Sequence, residues 1–367
     1  MKQQKYLFVV GQLQNGGLER QLYYICKQLK ERAIDTTVVC WNCHPDDYYY
    51  SSFSSLLGSS FFGLSAKENK IKKVKSLREI IQRGKFSHLI SFSAFTNFLT
   101  YFCGIGSAAK TYGSLRTSLD FYLKDQGLKA FFNLMFPRVI IANSTAAIKE
   151  GLQHPILSKT SKFVLLQNVI DLRGIQKKSE VATNYEKKCF TTISVGNVRN
   201  AKRLDRLVST FKLIKEDFPD FKIRHIHLGG GETNWLKDLI KSNGVEQYIR
   251  VLGPINNVYP YIKTADVLLH FSDIEGASNV IMESMSLSKP VISTNCGDTS
   301  LFVKNGYTGY IIHPYDASQF VNSILKLAQN SELYSYMRKN CFEEIEKYDT
   351  RHALSFFDQA INYVRNE

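Results

Sequence analysis

Short apolar segments alternate with amphipathic stretches along most of the chain. Segments such as LFVV, TVVC and VIIA are rich in β-branched and aromatic side chains, and a stretch with apolar residues at helical spacing follows most of them. A buried strand, a turn and an amphipathic helix in repeated order are typical of βαβ units. The pattern therefore predicts an α/β fold with parallel sheets.

The repeated pattern falls into two halves. In the first half it predicts a helix over 18–31 and strands over residues 5–10, 36–41, 88–92, 109–113 and 139–143. In the second half it predicts helices over 203–217 and 232–242 and strands over residues 189–197, 223–230, 248–253, 266–271 and 290–294. Each half thus predicts a doubly wound sheet, and such sheets bind ligands at the carboxyl ends of their strands.

The two halves are separated by a polar, charged stretch without a clear period. We therefore predict an N-terminal domain over 1–168, a linker over 169–188 and a C-terminal domain over 189–348. The segment 349–367 has a helical pattern, follows the second sheet and could cross back onto the N-terminal domain. A stretch biased toward Tyr and Ser, 46–60, is interpreted as a long surface loop.

The bulk composition is that of an ordinary globular protein, with 44% hydrophobic and 22% charged residues. A length of 367 residues suits two domains of similar size. No stretch approaches the roughly 18 uninterrupted apolar residues of a membrane span, and the first apolar run is too short for a secretory signal. We therefore expect a cytoplasmic protein.

The seven cysteines are odd in number and scattered through the chain, which suits reduced thiols better than a disulfide framework. Cys40, Cys43 and His44 do match the C-x-x-C-H pattern of covalent haem attachment. Cys40, however, ends an apolar run that predicts a buried strand, and haem of this type is normally attached outside the cytosol. We interpret these residues as a strand end with incidental thiols.

The net charge of +14 favours a polyanionic partner, which could be a nucleotide, an anionic lipid surface or a nucleic acid. Nucleic-acid binding is not expected, because no helix-turn-helix, RRM or zinc pattern accompanies the charge. The lysine-rich stretch 67–85 predicts a helix whose lysines form a solvated face or a contact with anionic lipids. The stretch 119–138, rich in Phe, Leu and Lys, fits a core helix or a helix at a membrane interface.

The strongest candidate site lies in the segment 270–294. There Glu275 closes a strand, Gly276 makes the turn, and a helix begins near Ser278 or Asn279 with Glu283 about one turn inside it. Backbone N–H groups at a helix start suit a diphosphate, and two carboxylates eight residues apart can bind diols on either side of it. The N–H groups in question belong to Ala277, Ser278, Asn279 and Val280.

The spacing Glu275-x7-Glu283 resembles the E-x7-E motif of retaining glycosyltransferase family 4, which has the GT-B fold. Three further segments resemble that family in the right order: GQLQNGGLERQLYYICKQLKE, SVGNVRNAKRLDRLV and STNCGDTSLFVKNGYTGYII. The resemblance covers nearly the whole chain and is tightest from about residue 190 to 315. It implies two doubly wound Rossmann-like domains that face each other across a cleft.

The resemblance also implies a role for particular residues. Glu283 would bind the ribose hydroxyls, Glu275 would bind hydroxyls of the transferred sugar, and Lys202, helped by Arg199, would neutralise the departing diphosphate. Transfer is expected to be metal-independent and without a cofactor, because the sequence contains no D-x-D pair. The implied donor-binding set is Gly16, Gly17, Gly196, Asn197, Gly253, Gly276, Ala277, Ser278, Asn279, Val280 and Glu283.

Some positions depart from the family pattern. Asn197 stands where an arginine is common, which makes Arg199 the candidate replacement. Asp298 follows Gly297 in a segment where the family often has a glutamate after a glycine pair. The histidine that many members carry in the first domain has no equivalent, and Ser114 and Arg116 are the acceptor-side candidates instead.

These features predict a hexosyltransferase that moves a sugar from a nucleotide diphosphate, with UDP-sugar as the expected donor, onto a saccharide acceptor. A lipid-linked acceptor at the inner face of a bacterial membrane, in O-antigen, capsule or lipopolysaccharide biosynthesis, would account for the aromatic and basic residues. Two alternatives share the fold. One is a UDP-sugar epimerase or hydrolase, which would need further acid–base residues. The other is a catalytically silent scaffold subunit, which Glu275, Glu283 and Lys202 disfavour.

Overall fold

The computed structural model describes residues 4–183 and 185–362. These residues form two compact units. The first unit contains the chain up to Val169 together with the chain from Thr350, and the second unit contains Ile170–Asp349. Among the described residues, no helix is both long enough and apolar enough to cross a membrane.

The first unit is built on a seven-stranded sheet whose strands all run parallel. Its strands are β1 (Lys5–Val10), β2 (Asp35–Cys43), β3 (Phe61–Ser65), β4 (His88–Ser91), β5 (Lys110–Leu115), β6 (Val139–Ala142) and β7 (Lys162–Leu165). The strand order is β3-β2-β1-β4-β5-β6-β7, so the direction of winding reverses between β1 and β4. Open α/β sheets bind ligands at such a point, beyond the carboxyl ends of the strands.

Eight helices of the first unit lie between these strands. They are α1 (Gly17–Glu31), α2 (Tyr50–Leu57), α3 (Lys70–Gly84), α4 (Asn97–Gly104), α5 (Leu119–Gln126), α6 (Leu128–Met135), α7 (Thr145–Gln153) and α8 (Leu157–Thr160). The alternation of side chains along β1 shows that the helices cover both faces of the sheet. Tyr6 and Phe8 belong to one buried cluster, whereas Leu7 and Val9 belong to another.

The second unit has a six-stranded parallel sheet in the order β10-β9-β8-β11-β12-β13. Its strands are β8 (Phe190–Val195), β9 (Ile223–Leu228), β10 (Ile249–Gly253), β11 (Val267–His270), β12 (Val291–Thr294) and β13 (Gly309–Ile312). Its helices are α9 (Leu172–Ser179), α10 (Leu204–Asp217), α11 (Thr233–Ser242), α12 (Tyr259–Thr264), α13 (Asn279–Ser286), α14 (Thr299–Phe302), α15 (Ala317–Gln329) and α16 (Ser331–Glu346). The winding reverses between β8 and β11.

The predicted strands are all present, and the parallel α/β architecture is confirmed. Sequence analysis missed three strands, β3, β7 and β13. Each of them is only four or five residues long. Unlike the four-residue strands that were predicted, none of the three is buried along its whole length, so the apolar signal in each is weaker.

The interpretation of 46–60 as a surface loop is wrong. This stretch contains α2, in which Phe53 and Leu57 are buried in the core of the first unit. The two apolar residues lie four positions apart on one helix face. Tyrosines and serines around them obscured that spacing.

The predicted linker also contains regular structure. Leu172 and Ile175 of α9 are buried in a core cluster of the second unit, while polar residues cover the rest of this short helix. At the other end of the chain, a final helix α17 (Ala353–Asn362) packs Phe357 against Tyr6 in the core of the first unit. Residues 363–367 of the predicted final segment lie outside the described residues.

Candidate functional site

The candidate site of the second unit lies at the carboxyl edge of its sheet. The loop after β8 carries Gly196 and Lys202, and the loop after β11 carries Glu275. Because β8 and β11 are neighbours in the sheet, the two loops begin side by side. The main-chain N–H of Asp273 donates to the carbonyl of Ala201 (3.0 Å), which ties one loop to the other.

Lys202 and Glu275, two of the predicted catalytic residues, form an ion pair. Their side chains are 26% and 18% exposed, so water screens the pair only in part. The same carboxylate oxygen, Oε1, accepts a hydrogen bond from the Ser272 hydroxyl (3.0 Å) and lies 3.3 Å from Nε2 of His270. One oxygen of Glu275 is thus held by three polar side chains.

These contacts determine the charge state of Glu275. Burial by itself would raise the pKa of Glu275, but the hydrogen bond with His270 and the positive charge of Lys202 outweigh burial and lower the pKa to about 2. The carboxylate is therefore ionised throughout the physiological pH range. It can accept hydrogen bonds from a ligand, but it carries no proton to donate.

His270 is a candidate residue that sequence analysis missed. It is buried at the end of β11, where Nδ1 lies 3.0 Å from the Ser293 hydroxyl and Nε2 lies 3.3 Å from the Ser278 hydroxyl. A signal was present in the sequence. His270 is a single polar residue in the apolar run VLLHF, five positions before Glu275, where a buried side chain needs polar partners.

Helix α13 begins where the sequence predicts. Ser278 is its N-cap residue and Asn279 its first residue, but the Ser278 hydroxyl points to His270 and makes no capping hydrogen bond. The helix start therefore lies beside the Glu275 cluster without a serine cap. The predicted donor-binding backbone groups all belong to this turn, which comprises Gly276, Ala277, Ser278, Asn279 and Val280.

Glu283 lies one turn inside α13 and is only 6% exposed. Every residue of the helix from Val280 to Ser286 is buried, so Glu283 is not a solvated surface charge. Glutamates are almost never buried to this degree unless they are paired or have a function. The structure thus excludes the interpretation of Glu283 as an exposed charge on the protein surface.

Two glycines at this edge allow the backbone to pass close to the residues of the Glu275 cluster. Gly297 has a φ of +51°, and a β-carbon there would lie 2.1 Å from the carbonyl oxygen of Gly276. Gly196 has a φ of +148°, and a β-carbon there would lie 3.3 Å from Cε of Lys202. Any other residue at position 297 would push the Glu275 turn away, and one at 196 would strain the backbone and crowd Lys202.

Three predicted residues lie at the same edge but outside the Glu275 cluster. Asn197 is exposed and accepts a hydrogen bond from the main-chain N–H of Gly230 (3.1 Å). Gly253 ends β10, and its carbonyl accepts from the N–H of Gly229 (2.9 Å). Arg199 is exposed, and its guanidinium forms no hydrogen bond or ion pair with the residues that the structure describes. The structure therefore brings Lys202, and not Arg199, to Glu275.

A row of buried polar side chains lies beneath Lys202. The hydroxyl of Ser194 lies 2.8 Å from Nε2 of His225 and 2.8 Å from Nδ1 of His227. Burial and the nearby charge of Lys202 lower the pKa of His227 to about 4, so this histidine is neutral at pH 7. A cavity of about 20 Å³, lined in part by Lys202, His227 and His270, separates this row from the Glu275 cluster.

In the first unit, the glycine pair lies between β1 and α1, at the point where the sheet reverses its winding. Gly16 is the N-cap residue of α1, and Gly17 is its first residue. A β-carbon at Gly16 would lie 2.2 Å from the carboxylate of Glu19, so this glycine makes room for that side chain. Glu19 is buried, and burial, reinforced by the charge of Asp47, raises its pKa to about 7 although its own backbone N–H opposes the shift.

Ser114 and Arg116 lie at the carboxyl end of β5. Ser114 is fully buried, and the side chain of Asn97 bonds to both its main-chain N–H (2.8 Å) and its carbonyl (2.9 Å). The guanidinium carbon of Arg116 lies 4.1 Å from the centroid of the Phe92 ring. The predicted acceptor-side residues thus occupy the ligand-binding edge of the first sheet.

One group of side chains in the described part of the chain has a geometry that suits a metal ion. Cys40, Cys43 and Asp47 place one ligand atom each within 4.8 Å of one another. A hydrogen bond between the two thiols, together with burial, raises the pKa of Cys40, and the same hydrogen bond lowers the pKa of Cys43. These residues lie in and after β2, in the first unit, whereas the Glu275 cluster belongs to the second.

A family model matches most of the second unit. Residues 175–344 match the family model described as "Glycosyl transferases group 1". The matched region contains Lys202, Glu275 and Glu283 and covers nearly all of the second unit.

Curated relatives match part of the chain. An uncharacterized glycosyltransferase of Methanocaldococcus jannaschii is 29% identical over 43% of this chain and 40% of its own length. A Campylobacter jejuni enzyme, N-acetylgalactosamine-N,N'-diacetylbacillosaminyl-diphospho-undecaprenol 4-alpha-N-acetylgalactosaminyltransferase, is 30% identical over 46% of this chain and 44% of its own length. The chain thus spans less than half the length of each of these two relatives.

Solved structures match the chain over its whole length. The structure of HepE from Anabaena in complex with UDP superposes with a TM-score of 0.77 and 16% identity, and covers 99% of this chain and 100% of its own. At this level of identity the likeness establishes the fold. The protein has the GT-B fold of glycosyltransferases, with two parallel-sheet α/β domains.

Proposed function

We propose that this protein is a retaining glycosyltransferase that transfers a hexose unit from a UDP-sugar to a saccharide acceptor. The observation that carries the proposal is the cluster of Lys202, Glu275 and His270 beside the start of α13. It combines a cation, an ionised hydrogen-bond acceptor and a helix N-terminus at the carboxyl edge of one sheet. These are the groups that a nucleotide sugar requires.

Each part of the cluster matches one part of the donor. Negative charge grows on the diphosphate as the glycosidic bond breaks, and the fixed charge of Lys202 stabilises that charge where it develops. Arg199 adds a more distant positive charge on the exposed side of the same loop. The ionised Glu275 accepts hydrogen bonds from the sugar hydroxyls, and the buried Glu283 accepts them from the ribose.

Lys202 and Glu275 form an ion pair with each other. The pair holds each side chain near its working position, so little reorganisation is needed when the donor arrives. In this proposal the charge of Lys202 replaces a metal ion at the diphosphate, and the reaction needs no cofactor. Full turnover in the presence of EDTA is the expected result.

The donor is identified by a thermal-shift screen of UDP, GDP, ADP and CMP with their common sugars. A ligand that binds only the folded state raises the melting temperature in proportion to the logarithm of its concentration over its Kd. We expect a shift with UDP and UDP-sugars that is lost in Glu283→Ala. Support for that choice of base comes from two structures with this fold that contain UDP, those of HepE and of the pneumococcal O-GlcNAc transferase GtfA.

A matched control is Glu343→Ala, because Glu343 is exposed on a helix of the same unit and should respond to UDP as the wild type does. No shift with any nucleotide would contradict the proposal and favour a catalytically silent scaffold. A shift with UDP-sugars that is followed by release of free sugar or an epimer, without transfer, would favour the hydrolase or epimerase.

The proposed acceptor is a saccharide linked to a lipid through a diphosphate, as used in the biosynthesis of surface polysaccharides. The support is the Campylobacter relative, whose name specifies a diphospho-undecaprenol acceptor. An enzyme that uses such an acceptor must work at a membrane surface. We therefore propose that the protein binds peripherally to the inner face of the cell membrane.

The first unit exposes a surface suited to a membrane. The aromatic patch, defined as Phe98, Phe102 and Phe132, consists of residues that are 42–50% exposed. Phe98 stacks on Phe102 with centroids 6.1 Å apart, and both Phe98 and Phe132 contact the ring of Phe136. Exposed aromatic clusters of this kind mark interaction sites, and lysines on α5 and α6 favour anionic lipids.

Flotation with lipid vesicles tests the membrane proposal. We expect the wild type to float with phosphatidylglycerol vesicles at low salt and much less with phosphatidylcholine vesicles. The double variant Phe98→Asp/Phe132→Asp should stay at the bottom of the gradient. Phe218→Asp is the matched control, since Phe218 is an exposed aromatic residue of the second unit. Absence of binding by the wild type would remove this part of the proposal.

A further inference from the structure

The carboxyl edge of the first sheet holds buried polar groups without partners. Among the described residues, the hydroxyl of Ser114, Nε and Nη2 of Arg116, and Oδ1 of Asn143 are buried and form no hydrogen bond. The register of β5 and β6 pairs Leu115 with Ala142, so Arg116 and Asn143 follow directly on neighbouring strands. Unpaired polar groups of this kind are rare and require an explanation.

The orphaned atoms of Arg116 are not a random pair. Nε and Nη2 form one edge of the guanidinium, whose two N–H groups point in the same direction and match the two oxygens of a phosphate or carboxylate. The face of the guanidinium, in contrast to this edge, has an apolar neighbour, because its central carbon lies over the Phe92 ring. The side chain is therefore held by its face, while its bidentate edge has no partner.

Among residues 4–183 and 185–362, no acidic side chain forms an ion pair with Arg116. Glu150, the carboxylate on the adjacent helix α7, is engaged elsewhere: it accepts hydrogen bonds from the Ser118 hydroxyl (3.1 Å) and from the main-chain N–H of Leu119. Burial without a compensating charge lowers the pKa of Arg116 to about 9. An arginine in such surroundings is stabilised by an anion supplied from outside the chain.

We propose that Arg116 is an anion-binding residue of the first unit that holds a phosphate group of a glycosyl phosphate, while Asn143 accepts a hydrogen bond from a hydroxyl of the same ligand. This inference rests on the proposed function, which supplies such a group: the diphosphate that links the acceptor saccharide to its lipid.

Binding requires the guanidinium edge to become accessible. Arg116 as a residue is partly exposed, although Nε and Nη2 are covered. Nη1 is not among the covered atoms, so solvent reaches the guanidinium at that end, and a rotation of the side chain brings the Nε–Nη2 edge to an anion there.

Titration calorimetry with inorganic pyrophosphate tests the site. Lys202→Met serves as the background, because it weakens the competing diphosphate site proposed for the second unit. We expect residual pyrophosphate binding in Lys202→Met, and at least a tenfold loss of it in Lys202→Met/Arg116→Gln, since a bidentate charged contact is removed. Arg116→Lys should recover part of the loss. Equal binding with and without Arg116→Gln, or no residual binding in Lys202→Met, would overturn the proposal.

The role of Arg116 in acceptor binding is tested with Arg116→Gln in the wild-type background. We expect an unchanged affinity for UDP together with an increased KM for a lipid-diphosphate saccharide. A weaker affinity for UDP, or an unchanged KM for that acceptor, would contradict the assignment. UDP binding by the wild type tests the proposed function separately, so failure of the two ideas can be told apart. Arg78→Gln, at an exposed position of the same unit, is the matched control.

A second measurement uses the unmodified protein, in case the variants fold poorly. Phenylglyoxal reacts with accessible arginines, and the modified residues are found by peptide mass spectrometry. We expect pyrophosphate to slow the labelling of Arg116 at least fivefold and to leave the labelling of Arg78 unchanged. Equal labelling with and without pyrophosphate, or no labelling of Arg116 at all, would contradict an anion site that solvent can reach.

Discussion

Each unit places a glutamate at the carboxyl edge of its sheet, next to a glycine turn and close to the point where the winding reverses. Glu275 of the second unit is paired with Lys202, and its pKa is lowered to about 2. Glu19 of the first unit forms no ion pair with the described residues, and burial raises its pKa to about 7. Similar positions in two similar sheets thus give opposite electrostatic outcomes.

The two units differ in whether the charged side chains at the carboxyl edge of the sheet have partners. The second unit pairs the charge of Glu275 with that of Lys202, as expected of a site that must present a fixed cation to a developing negative charge. The first unit leaves Glu19 and Arg116 uncompensated, which costs folding free energy. We infer that the second unit is preorganised, whereas the first unit gains part of its stability only when a ligand binds.

Disruption of the Lys202–Glu275 pair should have the largest effect. We expect Lys202→Met to lower kcat by about 100-fold to 1000-fold, the size found when a preorganised charge is removed from a transition state. The single variant also leaves Glu275 without its cation, and should destabilise the second unit by about 1–3 kcal/mol, less than for a fully buried pair. Release of the nucleoside diphosphate and urea unfolding measure the two effects.

The double variant Lys202→Met/Glu275→Gln separates catalysis from folding. Removing both charges leaves no unpaired ion, so we expect most of the lost stability to return while kcat stays at the level of Lys202→Met or lower. Recovery of kcat in the double variant would show that Lys202 acts only by neutralising Glu275. That outcome would remove Lys202 from the catalytic residues.

The contribution of Glu19 to the free energy of unfolding should become less favourable as the pH rises. Its pKa in the folded protein is about 7, above the ordinary value of 4.5 that applies when unfolded. The penalty is therefore absent below pH 4.5, grows as pH rises from 4.5 to 7, and is complete above pH 7. We expect Glu19→Gln to stabilise the first unit by about 2–3 kcal/mol at pH 8 and by almost nothing at pH 4.5.

Urea unfolding at several pH values measures this effect. Glu31→Gln is the matched control, because Glu31 lies on the same helix but is exposed. The control should follow the wild type at every pH. A constant difference between Glu19→Gln and the wild type from pH 4.5 to 8 would show that Glu19 does not titrate in this range. The contrast between the two glutamates would then disappear.

The fold was predictable because parallel strands buried on both faces are continuous apolar runs, and amphipathic helices separate them. The prediction failed where that contrast is weak. In α2 the two core residues, Phe53 and Leu57, stand among tyrosines and serines. In α9 the core residues Leu172 and Ile175 stand among polar and basic residues. In both helices tertiary contacts, rather than a strong local pattern, determine which face is buried.

The candidate site was predictable to the extent that it lies on one contiguous segment. Glu275, Glu283 and the start of α13 all lie in the segment 270–294, and the resemblance of that segment to a glycosyltransferase motif implies their roles, which stay predictions. The role of His270 depends on contacts with Ser293 and Ser278, and the missing partners of Arg116 depend on the neighbouring strand. Such contacts join residues distant in sequence, and a single sequence contains no record of them.

The smallest expected effect belongs to Arg199, which stands three positions before Lys202 on the same loop. It is exposed and unpaired among the described residues, so water and salt screen its charge. We expect Arg199→Gln to lower kcat about threefold at low salt and to have no measurable effect at high salt, as is usual for exposed charges. A loss as large as that of Lys202→Met, at any salt concentration, would mean that Arg199 contacts the diphosphate directly. The loop after β8 would then have to rearrange when the donor binds, and the second unit would be less preorganised than its paired charges indicate.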